Sequence, residues 1–238
     1  MLPCVILLAC GGLALALYLA EKLRRYSLKG VLLKSLVSLL FVAEAVCAWH
    51  GSAGGGSLEP LGLFVIPGLV FGLLGDIWLD LKYVYPQQDR PFTYAGFSVF
   101  GLGHLLYCAG LILQFAPREK PGFVWVPLLL ALLLCLGNGL LEKPMKLRYG
   151  EFKAVVIAYG ALLFSTVLLS GSLALEQGFR VPTLNLFFAG AVLFAVSDLI
   201  LSGTYFGEGK ERPADLLLNY LSYYPAQFLI AFSLLYLS

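Results

Sequence analysis

Charge is scarce in this chain. Asp, Glu, Lys and Arg make up 13% of its 238 residues, where a soluble domain carries roughly 25%. Hydrophobic residues reach 60% and the mean hydropathy is +0.87, so water is not the main solvent for this surface. A secreted domain, a disordered regulator and a soluble dinucleotide-binding enzyme are excluded. Histidine is nearly absent, with two residues and no HxxxH or HxxE pattern. The five cysteines (Cys4, Cys10, Cys47, Cys108, Cys135) are odd in number, contain no CxxC pair and lie in apolar stretches. They read as small buried hydrophobes rather than a disulfide framework or zinc site. The net charge of +2, without a long basic run, gives no reason to expect nucleic acid as a partner.

What is present is long apolar runs. At about 20 residues per span, residues 1–238 form one membrane domain of about eight helices, an all-α bundle. The runs cover about 2–22, 30–49, 60–83, 92–115, 122–141, 152–171, 183–206 and 214–237. Breakers separate them: Gly51 to Ser57 (GSAGGGS), the Tyr85 to Pro91 loop, and Pro117, Pro121, Pro144, Pro182 and Pro213. The first run lacks a basic leader and an A-x-A-like cleavage site, so it reads as a retained helix rather than a signal peptide.

Lys and Arg set the expected orientation. With the N-terminus outside, the inner side holds Lys22, Arg24, Arg25, Lys29, Lys34, Lys82, Arg90, Lys143, Lys146, Arg148, Lys153, Lys210 and Arg212. The outer side holds only Arg118, Lys120 and Arg180. Both termini are therefore expected to be extracytoplasmic, and the compact loops suit a bacterial inner membrane.

The chain echoes itself. Gly68 to Asp76 (GLVFGLLGD) resembles Gly190 to Asp198 (GAVLFAVSD), and a polar side chain, His104 or Gln227, follows each aspartate 28 or 29 residues later. One reading is a parallel repeat of two four-helix halves; the other is chance similarity between apolar helices.

An ionisable group deep in a span costs on the order of 2.5–3.5 kcal/mol on insertion scales and marks function by default. Asp76 and Asp198 lie at similar depth in helices 3 and 7, with no basic residue within one turn of either. They require partners from other helices, a wet cavity or a proton. Two carboxyls facing one dry cavity do not both ionise cheaply, so one is expected to hold a proton. The competing reading is that each merely bonds a neighbouring helix.

His104, flanked on its face by Phe100 and Tyr107, reads as a carboxylate partner or proton relay. A metal site from Asp76, His104 and Asp198 is the weaker alternative. Helix 8 presents Tyr220, Tyr224 and Gln227 on one face with Tyr223 alongside. Tyr220 is compatible with an interfacial belt, whereas Tyr223, Tyr224 and Gln227 are expected to face the interior. Asp80, next to Lys82, reads as solvated or snorkelling. Glu44 reads as bonding within the bundle, and Lys34 as snorkelling or meeting a lipid phosphate.

These residues resemble a known family. Gly75-Asp76, Phe92, Gly96, Phe100, His104 and Tyr107, then Gly190, Phe194 and Ser197-Asp198, then Tyr223-Tyr224 and Ala226-Gln227 are similar to the lysoplasmalogenase (YhhN) family of multi-pass membrane proteins. Helices 3, 4, 7 and 8 carry the likeness. It implies hydrolysis of the vinyl ether of lysoplasmalogens to a fatty aldehyde and a glycerophospho-alcohol. Asp76 and Asp198 would be the catalytic pair, without cofactor or metal. Asp198 as acid and Asp76 as base is the expected assignment, with the order interchangeable. His104, Tyr107, Ser197, Tyr223, Tyr224 and Gln227 would position water and substrate, and Lys34 the headgroup. Where the family has Lys-Pro on helix 2 this chain has Lys34-Ser35, and the Tyr85 to Pro91 loop and Asp80 also depart from the pattern. The expected partner is a lysophospholipid in the membrane. Competing classes are a lipid or proton-coupled transporter and a metal-dependent intramembrane lipid hydrolase. Headgroup preference and oligomeric state stay open.

Overall fold

A bilayer offers no water to unpaired peptide groups, so an apolar chain of this kind must satisfy them within helices. The computed structural model, which describes residues 1–53, 58–140, 142, 146–207 and 212–237, has eight. They are α1 (Leu2–Lys22), α2 (Leu28–Gly51), α3 (Pro60–Val84), α4 (Asp89–Phe115), α5 (Gly122–Leu140), α6 (Lys153–Glu176), α7 (Pro182–Phe206) and α8 (Pro213–Ser233). Among the described residues no strand forms; an isolated bridge joins Leu147 to Gly207. Six of the helices are long and apolar enough to cross a membrane, which makes this an integral membrane protein. The two outside that set are α5, whose apolar stretch is shorter, and α8, whose inner face carries Asn219, three tyrosines and Gln227.

Helix starts follow local chemistry. Proline occupies the first turn of α1, α3, α7 and α8, where its missing N–H is not needed. Ser27 caps α2 by accepting from the Gly30 N–H at 3.1 Å. The Tyr85 to Pro91 segment is not the loop expected. Pro86–Gln88 form a single 3-10 turn and α4 already starts at Asp89, since Pro91 is tolerated in a first turn. Helix α6 runs on to Glu176, five residues past its expected end. Residues 54–57 of the GSAGGGS loop, Leu141, Lys143, Pro144 and Lys210 lie outside the described residues.

Helices α2, α3, α4, α6, α7 and α8 pack in that order into a closed ring, with α1 leaning on α2 and α5 on α6. Advancing every helix by four maps this neighbour pattern onto itself: α3 on α4 becomes α7 on α8, and α4 on α6 becomes α8 on α2. Two glycines make the correspondence tight. A Cβ at Gly68 would lie 3.1 Å from the Gly103 carbonyl oxygen, and one at Gly190 would lie 2.8 Å from that of Ala226. Both glycines thus admit the backbone of the following helix, as small residues do in membrane interfaces. The two-half reading matches this packing. The interior is aromatic, with Tyr18, Phe41, Tyr107, Phe187, Phe194 and Tyr224 fully buried. The outward faces of α1 and α5 are rows of exposed leucine and other apolar residues.

Candidate active site

Period-3.6 geometry puts Gly68, Gly72, Gly75, Asp76, Leu79 and Asp80 on the buried face of α3. Asp76 is buried there among three donors. Ser38 Oγ donates to it at 2.6 Å, Tyr223 Oη at 2.8 Å, and Lys34 Nζ lies 3.2 Å away. Ser38 stands one turn after Lys34 on α2, so one helix face delivers both partners.

Asp198, in the matching position on α7, has a different environment. It accepts a hydrogen bond from Tyr159 of α6, and no cation pairs with it among the described residues. Asp76 and Asp198 line the same cavity of about 30 Å³, with Lys34, Tyr159, Tyr223 and Asn219 also in its wall. That is room for ordered water beside several polar partners.

Two further cavities share this wall. An apolar one of about 60 Å³ runs from Asp198 and Tyr159 between α6 and α7 to Cys135 of α5. Asp198 is half-buried because it faces both spaces. The other, of about 360 Å³, lies toward the end of the bundle that carries Arg24, Arg25 and Arg212, and shares Leu201, Tyr205, Asn219 and Tyr220 with the aspartate cavity.

The remaining sequence-derived residues divide. Gln227 is buried, donates to Tyr223 Oη at 3.0 Å and accepts from Tyr107 Oη at 3.4 Å, so it continues the chain of bonds behind Asp76. Ser197 accepts from Asn219 Nδ2 at 3.0 Å through its hydroxyl and at 2.8 Å through its carbonyl, and it lines the cavity. Tyr224 is buried with its hydroxyl unpaired. His104 is not a carboxylate partner. Its Nδ1 meets Thr166 Oγ1 at 3.1 Å, its Nε2 is buried without a partner, and its ring packs on Phe194 and Tyr159. It touches the site only through ring packing, on Tyr159, Tyr107 and Phe194. The set Asp76, His104 and Asp198 accordingly does not converge as metal ligands, and no such group of three forms among the described residues.

Several expectations need correction. Asp80 is neither solvated nor snorkelling. It is buried, 2.7 Å from Lys22 Nζ and 3.5 Å from Lys34 Nζ, and accepts from Tyr18 Oη at 3.1 Å. Lys34 does not snorkel either; it is held between Asp76 and Asp80. Burying four ionisable groups is tolerable because each has an opposite charge at contact distance. Tyr220 is no belt residue but packs edge-on to Tyr18 at 5.1 Å. Cys10 is exposed, and Cys4 and Cys47 bring their sulfurs to 3.5 Å. Glu44 is buried with both oxygens lacking a hydrogen-bond partner, so it does not bond within the bundle.

Ser38, Tyr159, Asn219, Lys22 and Tyr18 were missed. Asn219 could have been found, since it begins the 219, 223, 227 stripe on α8; a single tyrosine in an apolar α6 sends no comparable signal.

The comparison with protein families fits this geometry. A model described as the YhhN family matches residues 30–234, which span α2 through α8 and contain both aspartates. This chain belongs to the YhhN family, the family of lysoplasmalogenases. No curated protein and no solved structure matches it. In this YhhN protein α1 precedes the matched segment, yet supplies Lys22 and Tyr18 to the charge network.

Proposed function

We propose that this YhhN protein is a membrane ether hydrolase that cleaves the vinyl ether of lysoplasmalogens to a fatty aldehyde and a glycerophospho-alcohol. The observation that carries the reading is that Asp76 and Asp198 line one small cavity while differing in partners. Vinyl ether hydrolysis asks for that inequality. A proton donor must reach the β-carbon, and a carboxylate must face the resulting oxocarbenium ion and its water, as paired carboxyls do in glycosidases.

Asp198, with one tyrosine partner and an apolar cavity at its side, supplies the proton. Asp76, opposite Lys34, is the carboxylate. Protonation of the β-carbon by Asp198 turns the alkene into an oxocarbenium ion. Water adds to its charged carbon and gives its proton to Asp76. The hemiacetal then collapses, its hydroxyl proton passing to the glycerol oxygen as the C–O bond breaks. A proton moved from Asp76 to Asp198 through cavity water resets the pair. Tyr223, Gln227 and Tyr107 hold Asp76 in place, and Ser197 with Asn219 shapes the wall. The alkyl chain would lie in the apolar cavity between α6 and α7, reached from the lipid. No group other than these side chains is needed.

Purified protein mixed with a lysoplasmalogen should release aldehyde. Asp76→Asn and Asp198→Asn should each lower the rate by about 10²–10⁴-fold, the usual worth of a general acid or base. Release that survives both substitutions overturns the mechanism, and release lost on chelation favours a metal hydrolase. The four-helix repeat also suits a carrier with a site between its halves; lipid movement in vesicles without turnover would favour that.

A further inference from the structure

The 360 Å³ chamber beside the aspartate cavity is lined by Lys22, Arg24, Arg25 and Arg212, and by no carboxylate among the described residues. Among the described residues, carboxylates pair with only part of this charge. Lys22 is spent on Asp80 at 2.7 Å, and Arg25 on Glu21 at 3.0 Å. Arg24 and Arg212 have no ion-pair partner among the described residues. Arg24 comes from the connector after α1, and Arg212 from the residue that precedes α8, so the two reach the chamber from separate segments.

The aromatic residues in the wall do not make it a cation site. Lys22 Nζ already lies 4.7 Å from the Tyr26 ring centre and 4.5 Å from that of Tyr83, and Lys82 Nζ lies 3.6 Å from that of Tyr205. A quaternary ammonium would have to displace the protein's own ammonium groups. An anion with several acceptor oxygens meets guanidinium donors instead.

We propose that this chamber is a phosphate site, in which Arg24 and Arg212 bind the phosphate group of a single-chain phospholipid. The shared wall of Leu201, Tyr205, Asn219 and Tyr220 sets that group one partition away from the two aspartates. In identifying the phosphate as the substrate's, the proposal rests on the ether-hydrolase reading; the site itself does not. Arg24 lies ahead of the segment that matches the family, whereas Arg212 lies within it.

The test measures binding apart from chemistry. The full chain in uncharged detergent is titrated with ester-linked lysophosphatidylcholine, with monoacylglycerol and with inorganic phosphate, beside an Arg24→Ala/Arg212→Ala double variant and a Lys29→Ala control. Lys29 is basic and at the same end, but does not line the chamber. The double variant should weaken lysophosphatidylcholine roughly tenfold or more, as loss of charge-assisted bonds entails. Monoacylglycerol binding should not change, and Lys29→Ala should behave as the parent. Arg-dependent binding of inorganic phosphate that displaces the lipid would make free phosphate an equal occupant of the same site. Equal lipid and phosphate affinity in parent and double variant would overturn the proposal. If binding depends on the arginines but no aldehyde forms from a lysoplasmalogen, the chamber stands and the hydrolase reading falls. If aldehyde forms with an unchanged KM in the double variant, the reverse holds.

Discussion

The two halves of this molecule share a frame and differ in electrostatics. In α1–α4 the glycine at 68 admits α4, and the aspartate eight residues on meets Lys34, Ser38 and Tyr223. In α5–α8 the glycine at 190 admits α8, and the equivalent aspartate meets Tyr159. The first half adds Asp80 and Lys22 to build a buried four-charge network; α7 has Ser202 where the repeat would place a second acid. Two halves with matching packing thus bring two carboxyls to one cavity, and their different partners make them unequal. Acid–base work on a single bond requires that inequality, since two carboxyls with identical surroundings would have no fixed division of labour.

The comparison breaks most visibly at Asp80. Asp80→Asn leaves Lys22 and Lys34 buried with one fewer carboxylate, and loss of a partner from a buried ion pair costs about 3–5 kcal/mol. Denaturant unfolding in mixed micelles should register a loss of that order. Asp198→Asn, which strands no cation, should stay within about 1 kcal/mol of the parent on the same assay. Equal losses would mean that the halves are electrostatically alike.

Gly190→Ala tests the frame itself. Its Cβ would press on the Ala226 carbonyl oxygen and the Ile230 backbone nitrogen, neither of which can swing away as a side chain does. Overpacking of this kind costs about 1–3 kcal/mol, measurable as a lowered thermal midpoint. Tyr159→Phe should likewise have a small effect on stability, about 1 kcal/mol for one hydrogen bond. Its activity should nevertheless fall further than that of Ser38→Ala, because Asp76 keeps two other partners and Asp198 keeps none among the described residues. A larger loss of aldehyde release in Ser38→Ala would reverse the assigned roles.

The helices were legible because hydropathy and breakers are local. The start of α3, α5 and α7 fell within a residue of expectation, whereas Pro91 misled because a first-turn proline and a loop proline look alike in sequence. The acid pair was legible from its cost, since a carboxyl sixteen residues into a span demands a reason. Asp80 was misread for the opposite cause. Its neighbour Lys82 suggested an exposed helix end, and nothing local to α3 announces that Lys22, fifty-eight positions earlier, buries against it. His104 looked like a natural relay but turns to Thr166 on α6, a choice set by which helix lies opposite.

Composition and periodicity alone determined that this chain lives in a membrane as helices, that two acids sit at matching positions in two of its apolar helices, and that much of the positive charge lies near helix ends. These follow from the transfer energetics of each residue in its own helix. Only the tertiary structure decided that α2 brings a lysine to one acid while α6 brings a tyrosine to the other, and that Arg24 and Arg212, far apart in sequence, line one basic chamber. Such pairings depend on the ring order of the helices, and an ion pair or shared cavity wall has no energy until both sides of it are in place.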